Sequence, residues 1–324
     1  MGRTGHARAP RAAVRRLAAA ALCLAAGCGR SEDTLDTVRR LPLADPAAAG
    51  ATLAVDSAGV LWIGAPGRLL ALDSAGAPGA AVRVGGDTVP RLLWRAGDRL
   101  VIALPGRLAL APADGGAPAA GWATPHPEAS ARDPRGRWIY AATAAGGVVG
   151  LDAATLEPRW GWPDAGAPPA GAAVSPLADR VYVATDTAAG QRARLLVRDA
   201  ASGRVLSTGE QGAVVRGLAA ARNGALFGTA GGFALRFAHE GDRLEAAWSQ
   251  AAGADGGDGW LELRADPAGA RVAVFGRGEG ARLVLLDART GDVLGATTTA
   301  PLDAAFGPEG RLYLLEERAV RIVR

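Results

Sequence analysis

Lysine is absent from this chain of 324 residues, so all 36 basic side chains are arginine. Five of these arginines lie in residues 1–27, a segment that contains no acidic residue. The rest of the chain has 31 arginines against 32 acidic residues, a net charge of −1, so the basicity of the whole sequence (pI ≈ 9.8) is confined to its N-terminus. A near-neutral chain lacks the basic surface that non-specific binding to nucleic acids requires.

Long hydrophobic runs are also missing. The apolar run Leu17–Gly27 is shorter than the stretch of about 20 residues that spans a bilayer. Because it follows an arginine-rich segment, it predicts an export signal. It ends in Leu24-Ala25-Ala26-Gly27-Cys28, which resembles the bacterial lipobox, with Ala25 at the position where leucine is usual. The resemblance implies that Cys28 is lipidated and becomes the first residue of the mature protein.

Cysteine is scarce, and its two positions agree with this interpretation. Cys23 lies inside the signal, so a mature chain that begins at Cys28 has no disulfide and no other thiol. We therefore predict a signal peptide (1–27), a lipidated cysteine with a short tether (28–33) and a folded domain (34–324). The non-acidic residue after the cysteine is compatible, in such lipoproteins, with delivery to the outer membrane, facing the periplasm. The alternatives are an ordinary signal peptide with an incidental cysteine, or an N-terminal helix.

A repeat of about 40 residues fills the predicted folded domain. Each copy has a strand-like run, a turn rich in glycine, aspartate or proline, and a second run rich in β-forming residues, as in LAVDSAGVLWIG (53–64) and LRADPAGARVAVFG (263–276). Seven copies at intervals of 38 to 45 residues match the period of β-propeller blades. The turns of the seven copies are marked by Gly59, Gly97, Gly136, Asp179, Gly224, Gly269 and Gly310.

The last repeat is one strand short. Residues 301–324 contain three strand-like runs where each earlier unit contains four, and Thr34–Leu43 is a strand-like run with no unit of its own. We therefore predict an all-β fold, a seven-bladed β-propeller in which the N-terminal strand completes the last blade. The alternatives are a β-sandwich or two smaller β domains. Helices are not expected, because glycine or proline interrupts the alanine-rich segments every few residues.

Two kinds of propeller repeat are similar to segments of this chain. DAASGRVL (199–206) and DARTGDVL (287–294) resemble the PQQ-like and YVTN-type repeats of bacterial propellers, and DSAGVLWIG (56–64) is similar to repeats of sensor and lyase propellers. The resemblance covers roughly residues 35–324 and implies the fold, since these motifs form turns and strands. The chain also resembles the outer-membrane assembly lipoproteins built on PQQ-like repeats, although those typically have eight blades and this sequence predicts seven.

Tryptophan is concentrated in three segments that we predict to connect blades: 116–128, 158–171 and 248–260. Tryptophan at one end of the ring would give a partly apolar surface with N–H donors, which is typical of protein or ligand contacts. The alternative is that each indole packs over the seam of its own blade. The candidate binding surface consists of Trp122, His126, Trp160, Trp162, Trp248 and Trp260.

Residues typical of catalysis are few. Beyond residue 27 the only histidines are His126 and His239, predicted at opposite ends of the ring, and neither a G-x-S-x-G nor an H-E-x-x-H motif is present. Asn223, the single asparagine, is in an Asn-Gly turn, which gives little support to the Glu/Asn/Asp metal cluster of lactonase-type propellers. We therefore predict no catalytic residue, no metal site and no cofactor.

The sequence favours a non-catalytic, membrane-anchored propeller that binds an envelope protein, as an interaction or scaffold module. The alternative is a small-molecule-binding, lyase-type or lactonase-type propeller with a site at the channel mouth near Trp122 and His126. A mouth lined by convergent acids, histidine and arginine would favour the alternative. A plugged channel with a broad aromatic rim would favour the interaction module.

Overall fold

The computed structural model describes residues 33–324, apart from nine short gaps. Cys28 and Trp260, both named above, lie outside the described residues. The gaps are residues 74, 145–146, 163–168, 175–176, 187–192, 212–214, 241–242, 253–260 and 277–280.

Seven four-stranded antiparallel sheets form a ring of blades. In blades 1 to 6 the four strands are neighbours in chain order, and most inner strands contact the inner strand of the next blade around a central channel. Blade 7 combines the last three strands of the chain with the first. The all-β, seven-bladed propeller predicted from the repeats is therefore confirmed.

Each blade runs from an inner strand beside the channel to an outer strand at the rim. Blade 1 consists of β2 (Thr52–Val55), β3 (Leu61–Ala65), β4 (Arg68–Leu72) and β5 (Pro78–Arg83), and blade 2 of β6 (Arg91–Ala96), β7 (Arg99–Leu104), β8 (Arg107–Pro112) and β9 (Ala120–Ala123). Blade 3 consists of β10 (Ala131–Arg132), β11 (Trp138–Ala142), β12 (Val148–Asp152) and β13 (Pro158–Trp162), and blade 4 of β14 (Pro169–Val174), β15 (Arg180–Asp186), β16 (Ala193–Asp199) and β17 (Val205–Gln211).

The remaining blades follow the same plan, and a short 3-10 helix (Pro127–Ala129) precedes β10. Blade 5 consists of β18 (Val215–Ala220), β19 (Leu226–Ala230), β20 (Phe233–Glu240) and β21 (Arg243–Ala251), and blade 6 of β22 (Leu261–Ala265), β23 (Arg271–Gly276), β24 (Leu283–Asp287) and β25 (Val293–Ala296). Blade 7 consists of β26 (Asp303–Phe306), β27 (Leu312–Leu315), β28 (Ala319–Val323) and β1 (Thr37–Pro42).

The N-terminal strand completes the seventh blade, as predicted. β1 pairs antiparallel with β28, with Leu41 opposite Val320. The side chain of Leu41 is buried between blade 7 and blade 1, where it lies against Gly76. β1 therefore covers the free edge of β28 and also joins the last blade to the first.

The turn between the inner and second strands repeats one chemistry. In blade 1, Oδ1 of Asp56 accepts hydrogen bonds from two backbone N–H groups of the turn, at 2.9 and 3.0 Å. Gly59, in the same turn, has φ +80°, a conformation that costs glycine little. In blade 4, Ala178 takes the left-handed position with φ +58°, next to Asp179, the turn residue predicted there.

A second set of aspartates closes the turns between third and outer strands. Oδ1 of Asp287 accepts hydrogen bonds from the backbone N–H groups of Arg289 and Thr290, at 2.8 Å each, and from the Thr290 hydroxyl. Asp199 and Asp152 hold the same position in blades 4 and 3. These hydrogen bonds stabilise the charged form and keep the pKa of Asp152, Asp199 and Asp287 below the ordinary range.

We predict from these turns that the fold loses stability in acid. Each of the three carboxylates has a folded-state pKa below its unfolded value of about 3.9. Its contribution to the free energy of unfolding is therefore complete above that pH and is lost as the pH falls through the folded pKa. The urea concentration at the midpoint of unfolding, measured from about pH 7 down to about pH 3, should decrease mainly once the pH is below about 4. Asp199→Asn/Asp287→Asn, whose amides do not titrate, should show a smaller fall; an equal fall would contradict the prediction.

The hydrophobic core is divided among the seams between blades. One buried cluster joins blades 1 and 2 through Trp62 and Leu100, and another joins blades 5 and 6 through Phe227 and Val272. Each blade thus depends on its neighbours to bury its apolar faces. Within the described part of the chain, no helix is long and apolar enough to cross a bilayer.

Candidate functional site

The central channel opens into a cavity of about 640 Å³. Residues on or just before the inner strands of all seven blades line it, so the cavity lies on the axis of the ring. We call the end where the inner strands begin the upper mouth; the connections between blades lie at this end. Arg91, the first residue of β6, and Glu262, the second residue of β22, place charged groups there.

Four charged side chains form a network across the upper mouth, which we call the mouth clasp: Arg91, Glu262, Arg264 and Asp303. Nη2 of Arg264 lies 2.6 Å from Oε2 of Glu262 and 3.0 Å from Oδ1 of Asp303. The guanidinium of Arg91 lies 3.5 Å from each of the same two carboxylates. Since these residues belong to blades 2, 6 and 7, the clasp joins blades that are not all neighbours in the ring.

Asp303 is the most enclosed member of the clasp. Its side chain has no exposed surface. Besides Arg264, it accepts hydrogen bonds from the backbone N–H groups of Leu53 at 2.9 Å and Ala304 at 2.8 Å. Leu53 belongs to blade 1, so one carboxylate connects blades 1, 6 and 7 at the place where the ring closes. A buried carboxylate is stable here because a cation and two N–H groups satisfy it.

Arg91 is held in its charged form. Burial alone lowers the pKa of its guanidinium, but the carboxylates of Asp303 and Glu262 outweigh burial and raise the pKa. Glu128 adds to the same effect from the connection before β10. Arg91 therefore presents a permanent positive charge at the upper mouth.

The two histidines lie at different ends of the ring. His126 is in the connection between β9 and β10 at the upper mouth, with Nδ1 3.5 Å from Oε1 of Glu128. Glu128, not His126, is part of the cavity wall. His239 lies near the lower end of β20, with Nε2 3.1 Å from the Tyr182 hydroxyl, and burial lowers its pKa. The structure therefore does not bring the two histidines together.

The predicted loop position of the tryptophans is wrong for four of them. Trp122 lies in β9, Trp160 and Trp162 in β13, and Trp248 in β21, all outer strands. Trp162 is buried and the other three are half-buried. Trp122 packs in the seam of blades 2 and 3, and neither it nor His126 is part of the cavity wall. A role of these side chains in binding a partner stays a prediction.

Outer-strand side chains pack against turn glycines of the following blade. The indole of Trp162 occupies the space that a side chain at Gly203 would fill, and Trp248 lies in the same way against Gly291. The indole N–H of Trp248 also donates to the carbonyl of Ala288, at 3.2 Å. These contacts fasten the rims of adjacent blades to each other, as Leu41 against Gly76 does at the closure seam.

Blade 3 contains a group of three aromatic rings. Trp160 and Trp162 stack with ring centroids 4.5 Å apart, and Tyr140 lies 5.3 Å from Trp160. Burial, with a further effect of Asp133, raises the pKa of Tyr140 to about 12, so its phenol stays neutral. The Trp160 ring lies against Gly150 of β12, where only a glycine leaves room for it.

Gly150→Ala is expected to destabilise the protein by about 1–3 kcal/mol, because the added Cβ would overlap the Trp160 ring. Gly161→Ala, in the neighbouring strand, is the matched control: its Cβ would meet nothing closer than the carbonyl oxygen of Val148, at 3.9 Å. Urea denaturation of the two variants measures the difference. Equal free energies of unfolding of the two variants would show that the Trp160 ring moves aside without any loss of stability.

Sequence patterns did not identify the mouth clasp. Arg91 lies six residues before its turn glycine, and Glu262 and Asp303 each lie seven residues before theirs. A charged residue near the start of a strand that faces the channel is therefore the signal that could have found them. The repeat gives these positions, but not the blades that face each other across the axis.

The lactonase-type alternative would need a metal cluster in the channel. Among the residues that the structure describes, no three His, Cys, Asp or Glu side chains are placed to hold a metal ion. Asn223 lies in the turn after β18, where its Nδ2 donates to the carbonyl of Gly269 at 3.1 Å. The convergent acids and arginines at the upper mouth nevertheless agree with what the small-molecule alternative requires.

No family model matches the sequence, and no curated protein matches it. Similar solved structures include a chain of hydrazine synthase from Kuenenia stuttgartiensis, with TM-score 0.68 and 14% identity over 89% of this chain and 98% of that chain. BamB from Moraxella catarrhalis has TM-score 0.60 and 19% identity over 90% of this chain and 100% of that chain. A chain of the mitotic checkpoint complex has TM-score 0.67 and 12% identity over 90% of this chain and 93% of that chain. At these identities the comparisons show the fold alone, and that fold is the β-propeller.

Proposed function

We propose that the chain is a non-catalytic β-propeller lipoprotein that acts as a protein-interaction module of the cell envelope. One of the similar structures is a chain of a protein assembly, the mitotic checkpoint complex. The repeats also resemble those of outer-membrane assembly lipoproteins. These likenesses support a protein partner in general terms.

The observation that carries the proposal is apolar surface on the rim of blades 6 and 7. Val293 and Leu294 on β25 are 54% and 50% exposed, and Val38 on β1 is 59% exposed; we call these three residues the rim patch. The segment that precedes β1 reaches β25, where the N–H of Thr34 donates to the carbonyl of Ala296, at 3.0 Å. The three residues thus place exposed aliphatic groups on the outer strands of adjacent blades, which is more typical of interaction sites than single scattered ones. An outer strand can also accept an added strand.

The half-buried tryptophans of the other outer strands extend this apolar character around the rim. Trp122, Trp160 and Trp248 belong to blades 2, 3 and 5, so these three members of the candidate surface become part of the same proposal. Because their rings also pack in the seams between blades, substitutions there would change stability as well as binding. The rim patch is therefore the better place to test the proposed interaction.

Photo-crosslinking in cells tests the interaction. A photoreactive residue at position 294 should give a protein adduct of one defined mass, and Val38→Asp should reduce its yield several-fold. The matched position is Glu309, an exposed residue of a turn in blade 7, which should give no such adduct. Absence of an adduct at 294, or equal adducts at both positions, would contradict the proposal.

The membrane anchor is proposed from the sequence alone. Cys28 would carry the lipid, and the propeller would face the periplasm from the outer membrane. Cells fed a fatty-acid analogue should label the wild-type protein and not Cys28→Ser, and Cys28→Ser should leave the outer-membrane fraction. Labelling of both proteins would exclude Cys28 as the lipidated residue.

A further inference from the structure

The cavity at the upper mouth has the size and the lining of a ligand site. Its volume of about 640 Å³ falls in the range of about 300–1,000 Å³ found for small-molecule sites. Half-buried apolar residues line part of it, among them Leu93, Leu218 and Phe306, and its charged groups are concentrated at one end. Such a cavity can bury an apolar group while its charged end fixes the orientation of the ligand.

Arg91 has binding capacity beyond the mouth clasp. Arg264 holds the carboxylates of Glu262 and Asp303 at 2.6 and 3.0 Å, whereas Arg91 stands 3.5 Å from both. A guanidinium has five N–H donors, and two long contacts do not saturate them. About a fifth of the Arg91 side chain is exposed, and the residue lines the cavity. A planar guanidinium in this situation suits a carboxylate, which it can bind through two parallel hydrogen bonds.

Glu128 places an opposite charge on the same wall. Its side chain is 55% exposed, it lines the cavity, and its charge acts on Arg91. A ligand with only a carboxylate would meet Glu128 as well as Glu262 and Asp303, and a ligand with only an ammonium group would meet Arg91. A ligand that carries both charges satisfies both residues, since both line the same cavity.

We propose that the upper mouth of the channel binds a small zwitterion with an apolar side group, such as a free aliphatic amino acid. Its carboxylate binds Arg91, its ammonium group binds Glu128, and its side group lies against the apolar residues of the channel wall. The site is separate from the rim patch, so it adds a ligand to the proposed interaction module and does not depend on that function.

Calorimetric titration of the purified full chain with leucine, N-acetyl-leucine and leucine amide tests the proposal. The two capped compounds each lack one charge and imitate the ends of a polypeptide. Leucine should bind, and each capped compound should bind at least about ten-fold more weakly, because one charged contact is lost. Equal binding of a capped compound, or no binding of leucine at millimolar concentration, would overturn the proposal.

Two variants assign the contacts. Glu128→Gln changes an exposed side chain, so the fold should be kept while the affinity for leucine falls at least about ten-fold. Arg91→Gln should lower the affinity as much, and its melting temperature shows whether the clasp survives the change. Glu309→Gln, on a turn at the lower end of the ring, should bind leucine like the wild type. Unchanged affinity of the Glu128→Gln variant would overturn the proposal even if Arg91→Gln fails to fold.

Discussion

Removal of residues 34–43 is expected to destabilise the entire ring, not only its last blade. The deletion takes away β1 and thereby exposes the edge of β28 to solvent. It also removes Leu41, which is 1% exposed and packs with Leu53 and Ile322 across the seam of blades 7 and 1. Loss of a buried leucine side chain alone costs about 2–5 kcal/mol. The strand contributes backbone hydrogen bonds in addition, so the deletion should cost more than Leu41→Ala.

The effect should spread because blades bury their faces on one another. The N-terminal segment also carries Asp33, whose carboxylate pairs with the buried guanidinium of Arg321, and Leu35, which packs between blades 6 and 7. The deletion removes Leu35 itself, and without β1 the chain no longer holds Asp33 at the seam. A ring opened at one seam loses the mutual support that a closed set of blades provides.

Calorimetric melting of the deletion variant, Leu41→Ala and Val38→Ala provides the test. Val38 is the matched control, since it lies in the same strand and is 59% exposed, so its truncation should change stability by no more than about 0.5 kcal/mol. Adding a peptide of residues 33–43 in excess should recover part of the lost stability by mass action. A deletion variant that melts like the wild type would refute strand-dependent closure.

The fold could be predicted because its signals are local. Gly59 and Gly310 are turn glycines with φ near +80°, and their spacing from copy to copy gives the blade period. The closing strand could be predicted from a simple mismatch: the last unit had three strands, and Thr34–Leu43 had no unit. Such features need no knowledge of which blades touch.

The tryptophans were misplaced because local composition was misleading. Trp122 and Trp160 are surrounded by glycine, alanine and proline, which are typical of connections between strands. Yet each follows a turn aspartate of its own blade by eight residues, Asp114 and Asp152 respectively, which is the position of an outer strand. Tertiary packing against the next blade explains why these segments form strands despite weak β propensity.

The mouth clasp could not be predicted, because it depends on the curvature of the ring. Arg91 and Asp303 are 212 residues apart in the chain and belong to blades 2 and 7, which are not adjacent. Their contact exists only because the ring returns to its starting point across a narrow channel. A repeat pattern describes each blade and its neighbours, whereas the clasp needs the position of all seven blades.

Asp303→Ala is expected to lower the free energy of unfolding by about 3–5 kcal/mol, because the two arginines of the clasp would then share the single carboxylate of Glu262. Arg264 would lose its contact at 3.0 Å, and the N–H of Leu53 would lose its acceptor inside the seam. Arg91 would keep only Glu262, at 3.5 Å. Because Asp303 connects blades 1, 6 and 7, its removal should weaken the same closure that β1 completes from the rim.

The test separates lost charge from lost hydrogen bonds. Asp303→Asn keeps an acceptor for the N–H of Leu53 but removes the charge. Its free energy of unfolding should therefore lie between that of the wild type and that of Asp303→Ala. Asp292→Ala, an exposed aspartate of blade 6, is the control and should change stability by no more than about 0.5 kcal/mol. Since the pair is buried, raising the salt concentration should leave the difference between Asp303→Ala and wild type almost unchanged. A difference that vanishes in high salt would mean that the clasp is an ordinary surface ion pair and that closure depends on β1 alone.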